Sequence, residues 1–266
     1  MPSPDPEELR ALAERVARSA GALLRDGLGR ARLEVGTKTT GTDMVTEMDR
    51  ASEVLIEAEL LEVRPDDGIL GEEGASRAGT SGVRWVVDPL DGTTNYLYGF
   101  PGFNVAIAAE VSGETVAGAV YDVVRDELFS AHRGGGATRD GAPIAPSGTA
   151  DVAHALVGTG FSYEPARRRR QAQVLVEVLP KVRDIRRQGA AALDLCSVAC
   201  GRLDAYYERG LAPWDLAAGG LVAAEAGVIV TDLEGGPPRS DSVLAATPGV
   251  AAALLAMLAA AGAGDA

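Results

Sequence analysis

The sequence predicts an α/β fold in which helices and sheets alternate in layers, and three features of the chain carry that expectation. Apolar residues at helical spacing open the chain. A block of short β-rich runs parted by turn residues occupies its middle, from Val83 to Arg133. Beyond the glycines Gly134-Gly135-Gly136 and the turn Gly141-Ala142-Pro143, helical and strand-like segments alternate to the end. That change of texture divides the chain into an N-terminal α+β part, residues 1–145, and a C-terminal α/β part, residues 146–266.

Asp5 and Pro6 signal the start of the first helix and Gly27 its end, with Leu9, Leu12, Val16, Ala20, Leu23 and Leu24 on the inner face. Residues 36–42 form a polar, glycine-bounded loop. A second helix starts at Thr46, whose spacing to Asp49 suits a capping box, and turns Met48, Ala51, Leu55 and Ala58 inward. Residues 83–87, 104–110, 115–121 and 127–133 read as adjacent antiparallel strands. The second part reads as strand 155–158, helix 167–178, helix 190–201, helix 214–226, strands 228–230 and 243–246, and a final helix with Thr247 as its cap and Pro248 in its first turn.

With 266 residues, 46% hydrophobic and 24% charged, the composition is that of a soluble globular chain of one to two domains. The net charge of −13 disfavours nucleic acid and anionic membrane as partners, and it disfavours small phosphate esters too unless a local cation inverts the field. Cys196 and Cys200, in a helical stretch, suit two reduced thiols in a cytoplasmic protein, and residues 1–10 lack the basic-then-apolar pattern of an export signal. The uncharged run 242–264 is broken at Thr247-Pro248-Gly249, so it reads as strand and helix and not as a membrane span. Arg167 to Arg170, with Arg183, Arg186 and Arg187, could suggest a nucleic-acid patch but read, given the net charge, as a solvated helix face.

Asp88-Pro89-Leu90-Asp91-Gly92-Thr93 follows directly on the apolar strand 83–87, so two carboxylates leave the strand's end together, with proline fixing the turn between them. Gly92 then opens a helical turn, whose free N–H groups suit an anion. Carboxylates for a hard cation beside bare N–H groups for a phosphate are what metal-assisted phosphoryl transfer needs. Either aspartate alone would serve equally as a turn or cap residue. Two further acidic sites add weight: Gly71-Glu72-Glu73-Gly74 after the apolar pair Ile69-Leu70, and Trp214-Asp215 at a helix start. His132 and His154 have no sequence partner suggesting a nucleophile-and-base pair.

The runs Trp85-Val86-Val87-Asp88-Pro89-Leu90-Asp91-Gly92-Thr93-Thr94-Asn95-Tyr96 and Trp214-Asp215-Leu216-Ala217-Ala218-Gly219, with Glu225-Ala226-Gly227, resemble the two signatures of the inositol monophosphatase family, magnesium-dependent and lithium-sensitive phosphatases. Gly71-Glu72-Glu73, Lys38 with Asp43 and Asp49, and Asp204-Ala205-Tyr206-Tyr207-Glu208 extend the match over nearly the whole chain. The resemblance implies a layered αβαβα sandwich and two to three Mg2+ ions. Glu72, Asp88 and the Leu90 carbonyl would hold one ion, Asp88, Asp91 and Asp215 a second, and a weaker third would share Glu72. It gives Asp49 and Thr93 the task of orienting the attacking water, with Lys38 closing the site. Gly92 and Thr93 would hold the phosphate, while Asp91, Ala191, Glu208 and Asp215 would contact the rest of the substrate.

The activity so implied is hydrolysis of inositol monophosphates, and of other small sugar or polyol phosphates, by metal-activated water in a cytoplasmic homodimer. Two alternatives stand beside it: a histidinol-phosphate phosphatase on the same scaffold, and a relative with an added role in binding the transcription machinery. Thr94, where histidinol-phosphate phosphatases tend to carry lysine, favours inositol. Three positions depart from the family pattern: Tyr96 for phenylalanine, Val228 for glycine, and Ala190 for a small hydroxyl residue beside the substrate pocket.

Overall fold

The computed structural model describes residues 4–28, 35–37 and 44–265, with side chains over 4–28 and 47–264. Helix α1 (Pro6–Gly27) is capped by Asp5, which accepts the Glu7 N–H at 2.9 Å. Strands β1 (Val35–Thr37) and β2 (Met44–Thr46) pair antiparallel, so Gly36 and Thr37 are strand residues and not loop. Lys38 and Asp43 lie outside the described residues, as does the Thr46 side chain.

Helix α2 (Glu47–Val63) buries Asp49, Ser52, Glu53, Ile56 and Leu60. The apolar periodicity points to a different stripe, yet Met48 and Leu55 are only partly buried and Ala58 is exposed. The face of α2 that turns inward meets polar loops of the active site as well as the apolar core, so three of its five buried residues are polar.

The first sheet is built from β3 (Gly68–Gly71), β4 (Ser76–Arg77), β5 (Val83–Asp91), β6 (Asn104–Val111), β7 (Glu114–Asp122), β8 (Glu127–His132), β9 (Ala137–Arg139) and β10 (Ala142–Pro143), in the order β10-β9-β8-β7-β6-β5-β3-β4. Strands β5 to β8 are consecutive antiparallel neighbours, while β3 runs parallel to β5. A short helix, α3 (Thr93–Tyr98), follows β5. The second sheet contains β11 (Leu156–Thr159), β12 (Asp184–Arg186), β13 (Ala205–Arg209), β14 (Ile229–Thr231) and β15 (Ser242–Ala246), in the order β12-β11-β13-β15-β14. The remaining helices are α4 (Pro165–Val178), α5 (Ala191–Ala199), α6 (Pro213–Glu225) and α7 (Ala251–Ala260).

Three apolar cores define the layers. Helices α1 and α2 cover one face of the first sheet, α5 and α6 fill the space between the sheets, and α4 and α7 cover the outer face of the second. This is an αβαβα sandwich. The middle layer is held close by small residues: a Cβ on Gly118 of β7 would lie 3.1 Å from the Ala218 Cα, and one on Gly219 would lie 3.0 Å from the Ala192 carbonyl. Helix α7 begins at Ala251, later than its expected Thr247 cap, because Thr247 donates its hydroxyl to the Ser147 carbonyl and residues 248–250 form a turn. No helix among the described residues is long and apolar enough to cross a membrane. Cys196 and Cys200 are free thiols.

Candidate active site

Side chains alternate along a strand, so Asp88 and Asp91 would face opposite ways on a regular β5. The ladder to β6 pairs Asp88 with Ala106 and then Asp91 with Asn104, leaving one extra residue on the β5 side. That bulge turns the second carboxylate back beside the first. Pro89 therefore sits in a bulge within the strand and not in a turn after it, where its missing N–H is harmless, and its carbonyl accepts the Ser52 hydroxyl at 2.9 Å.

Asp215 arrives from the first turn of α6, where its carboxylate accepts the Ala212 N–H at 2.6 Å. One oxygen each of Asp88, Asp91 and Asp215 lies within 4.8 Å of the others. Glu72, on the loop after β3, adds its carboxyl against Asp88. Glu53 of α2 fixes that loop by accepting the Glu73 N–H at 2.7 Å and the Ala75 N–H at 2.8 Å. Gly71 is required there, since a Cβ would overlap the Glu53 carboxylate.

Burial and the charges of Glu72, Asp91 and Asp215 push the Asp88 carboxyl well above the usual carboxylate range. Burial raises Asp91 to about 6, against hydrogen bonds from Asn104 at 2.8 Å and the Ala192 N–H at 2.9 Å. Asp215 is also raised, by burial first and then by Asp91. Converging hard oxygen donors with raised proton affinity make a site for a hard cation, whose binding would relieve their repulsion.

Asp49, fully buried, and Thr93 meet at the other edge: the Thr93 hydroxyl lies 3.3 Å from Asp49 Oδ1 and 3.2 Å from the Leu90 carbonyl oxygen. Gly92, the residue before α3, has φ +91°, and a Cβ on it would stand 2.8 Å from the Gly102 carbonyl.

A cavity of about 430 Å³ opens from this cluster. Asp91, Asp215, Ala191 and Glu208 line it as the sequence predicts, whereas Gly92 and Thr93 are absent from its wall. Burial pushes the Glu208 carboxyl up to about 7, opposed by the Tyr206 hydroxyl, which donates to it at 2.5 Å. Helix α5 begins beside the cavity after Ala190, which has no capping side chain, and Asp91 supplies the missing acceptor from the other sheet. The Tyr96 departure is explained as well: its hydroxyl donates to the Leu24 carbonyl at 2.9 Å, tying α3 to α1. Sequence reasoning missed Ser52, Glu53 and Asn104, which orient the site without a motif of their own.

The model of the inositol monophosphatase family matches residues 5–262. The chain belongs to the inositol monophosphatase family. An inositol-1-monophosphatase from Mycobacterium leprae is 46% identical over 97% of this chain and 96% of its own. The crystal structure of the extragenic suppressor protein SuhB from Bartonella henselae matches with a TM-score of 0.90 and 38% identity, covering 94% of this chain and 98% of that one. A Vibrio cholerae relative named Nus factor SuhB is 39% identical over 89% of this chain and 90% of its own. As a member of the inositol monophosphatase family, the protein is a metal-dependent phosphoric monoester hydrolase. The Nus factor name of that relative runs against the expectation, drawn from net charge, that nucleic acid is no partner, and accords with the alternative of an added role at the transcription machinery.

Proposed function

We propose that this protein hydrolyses inositol monophosphates, and other small polyol phosphates, with magnesium held by Glu72, Asp88, the Leu90 carbonyl, Asp91 and Asp215. The observation that carries the reading is the double membership of Asp91 and Asp215, which belong both to the carboxylate cluster and to the wall of the cavity leading to Ala191 and Glu208. Magnesium there would lower the pKa of a water and neutralise charge on the departing oxygen. Asp49 and Thr93 are joined so that one accepts and the other relays a proton of that water. The N–H groups of Gly92 and Thr93 hold phosphate oxygens, and Glu208 accepts from hydroxyls of the alcohol. Lys38 belongs to the same reading. Lithium inhibition at the site of Asp88, Asp91 and Asp215, and a cytoplasmic homodimer, complete it.

The test is phosphate release over inositol, histidinol, fructose-1,6-bis- and nucleoside phosphates, with magnesium or with chelator. The highest kcat/KM should fall to inositol monophosphate, and chelator should abolish it. A higher value for histidinol phosphate overturns the substrate class.

The Vibrio cholerae relative's name favours a second reading, an added role at the transcription machinery. Capture of transcription proteins by the Asp88→Asn variant as well as by the unaltered protein would separate that role from catalysis.

A further inference from the structure

Two cations line the cavity, Arg187 and Arg209. Arg209 is engaged elsewhere, donating to the Gly264 carbonyl and lying 3.7 Å from Glu234. Arg187 makes no hydrogen bond or ion pair among the described residues, although a guanidinium carries five donors. Its Nη1 lies against the bare Cα of Gly189, where any Cβ would overlap it, so the backbone makes room for the guanidinium along the wall.

Glu208, on β13, lines the same cavity. Its Oε2 is fixed by the Tyr206 hydroxyl and packs over Gly160, again where a Cβ would overlap. Its Oε1 has no hydrogen-bond partner among the described residues. Asp194, 1% exposed and with Oδ1 unpaired, adds a second carboxyl near by. The Arg187 charge acts on both, opposing the burial that raises Glu208 and Asp194. Arg187 thus offers donors only, and Glu208, where ionised, offers acceptors only. A hydroxyl both donates and accepts, and a pair of neighbouring hydroxyls satisfies an Arg–Glu pair with one bond in each direction.

We propose that Arg187 is a specificity-determining residue, which together with Glu208 grips the free hydroxyls of a polyol phosphate in the cavity that Asp91 and Asp215 also line. This inference rests on the proposed function and names what selects the alcohol. The substrate class is a phosphate ester of an alcohol with at least two further hydroxyls. The grip holds the alcohol both before and during reaction, so its loss should appear in KM and leave kcat alone.

The test compares the unaltered protein, Arg187→Ala and Arg187→Lys on two esters: inositol 1-phosphate, and p-nitrophenyl phosphate, whose alcohol has no hydroxyl to grip. Arg187 is exposed, so the variants should fold normally. Arg187→Ala should raise KM for inositol 1-phosphate about tenfold with kcat within about twofold, and leave both constants for p-nitrophenyl phosphate within about twofold. Arg187→Lys should recover part of the loss. An equal change for both esters, or none for inositol 1-phosphate, overturns the proposal. Failure of the proposed function would show in the unaltered protein instead, as no preference for inositol 1-phosphate over p-nitrophenyl phosphate, and the proposal would fall with it.

Discussion

Asp91 accepts the backbone N–H of Ala192 at 2.9 Å, joining residues 101 apart in the chain. The last residue of β5 thereby caps α5, so a member of the carboxylate cluster is also a fastener between the first sheet and the middle helices. Ala190 has no side-chain acceptor to do this, and the acceptor comes instead from outside the helix.

That double role separates two substitutions. Asp91→Asn keeps an oxygen for the Asn104 and Ala192 donors, whereas Asp91→Ala orphans both. Each removes the same charge and each should abolish phosphate release. In chelator, Asp91→Ala should be less stable than Asp91→Asn by about 1–3 kcal/mol in urea unfolding. Equal stability would show that the cap contributes nothing.

Asp88 is the carboxylate assigned to both principal ions. Asp88→Asn should lower turnover on the order of a thousandfold or more. Purified variant retaining a tenth of the normal phosphate release would remove the assignment.

Metal-free stability should depend on pH in an unusual direction. A carboxyl whose folded pKa lies above its unfolded value holds its proton longer in the native state, so its contribution to stability is present at low pH and is lost as pH rises through the folded value. Asp91, raised from 3.8 to about 6, and Asp88 and Asp215, both raised by burial and by neighbouring carboxylates, all act this way. In chelator, the melting temperature should therefore fall as pH rises from about 4 through about 6, the folded value of Asp91. Magnesium binds the ionised carboxylates, so the gain from adding it should grow over the same window. A magnesium gain independent of pH would contradict this.

Asp215→Asn removes one charge from the cluster and, on the proposed function, would remove one ligand from the ion. Its melting temperature in chelator should match or slightly exceed that of the unaltered protein, while its gain from a magnesium titration should be smaller and its turnover far slower. An identical gain would reduce Trp214-Asp215 to a helix start.

The layers were legible because amphipathic helices and alternating strands announce themselves, as α1 and β5 to β8 do. Segments without that rhythm were not. Strand β13, Ala205–Arg209, lies in the middle of its sheet and is too short to display a period, and the exposed edge strand β12 carries Asp184, Ile185 and Arg186 with no apolar run. On α2 the apolar periodicity misled, because Asp49, Ser52 and Glu53 are buried by what they bind and not by hydrophobicity. The carboxylates Asp88, Asp91 and Asp215 were legible as motifs and do converge. What brings the first two together, a bulge of one residue, leaves no mark beyond Pro89. Arg187 reads from the sequence as one of a solvated basic group with Arg183 and Arg186, and only the cavity beside it sets it apart.

The glycine and alanine contacts that press α5 and α6 between the sheets set how the site is filled. Gly118 against Ala218 and Gly219 against Ala192 leave no slack for α6 to part from the first sheet or from α5 without tearing the shared core. A hinge motion that separated Asp91 on that sheet from Asp215 on α6 would have to break this packing. On the proposed function, ester and alcohol would pass through the mouth of the cavity, so loading and emptying the site would be matters of diffusion and of local motion around that mouth.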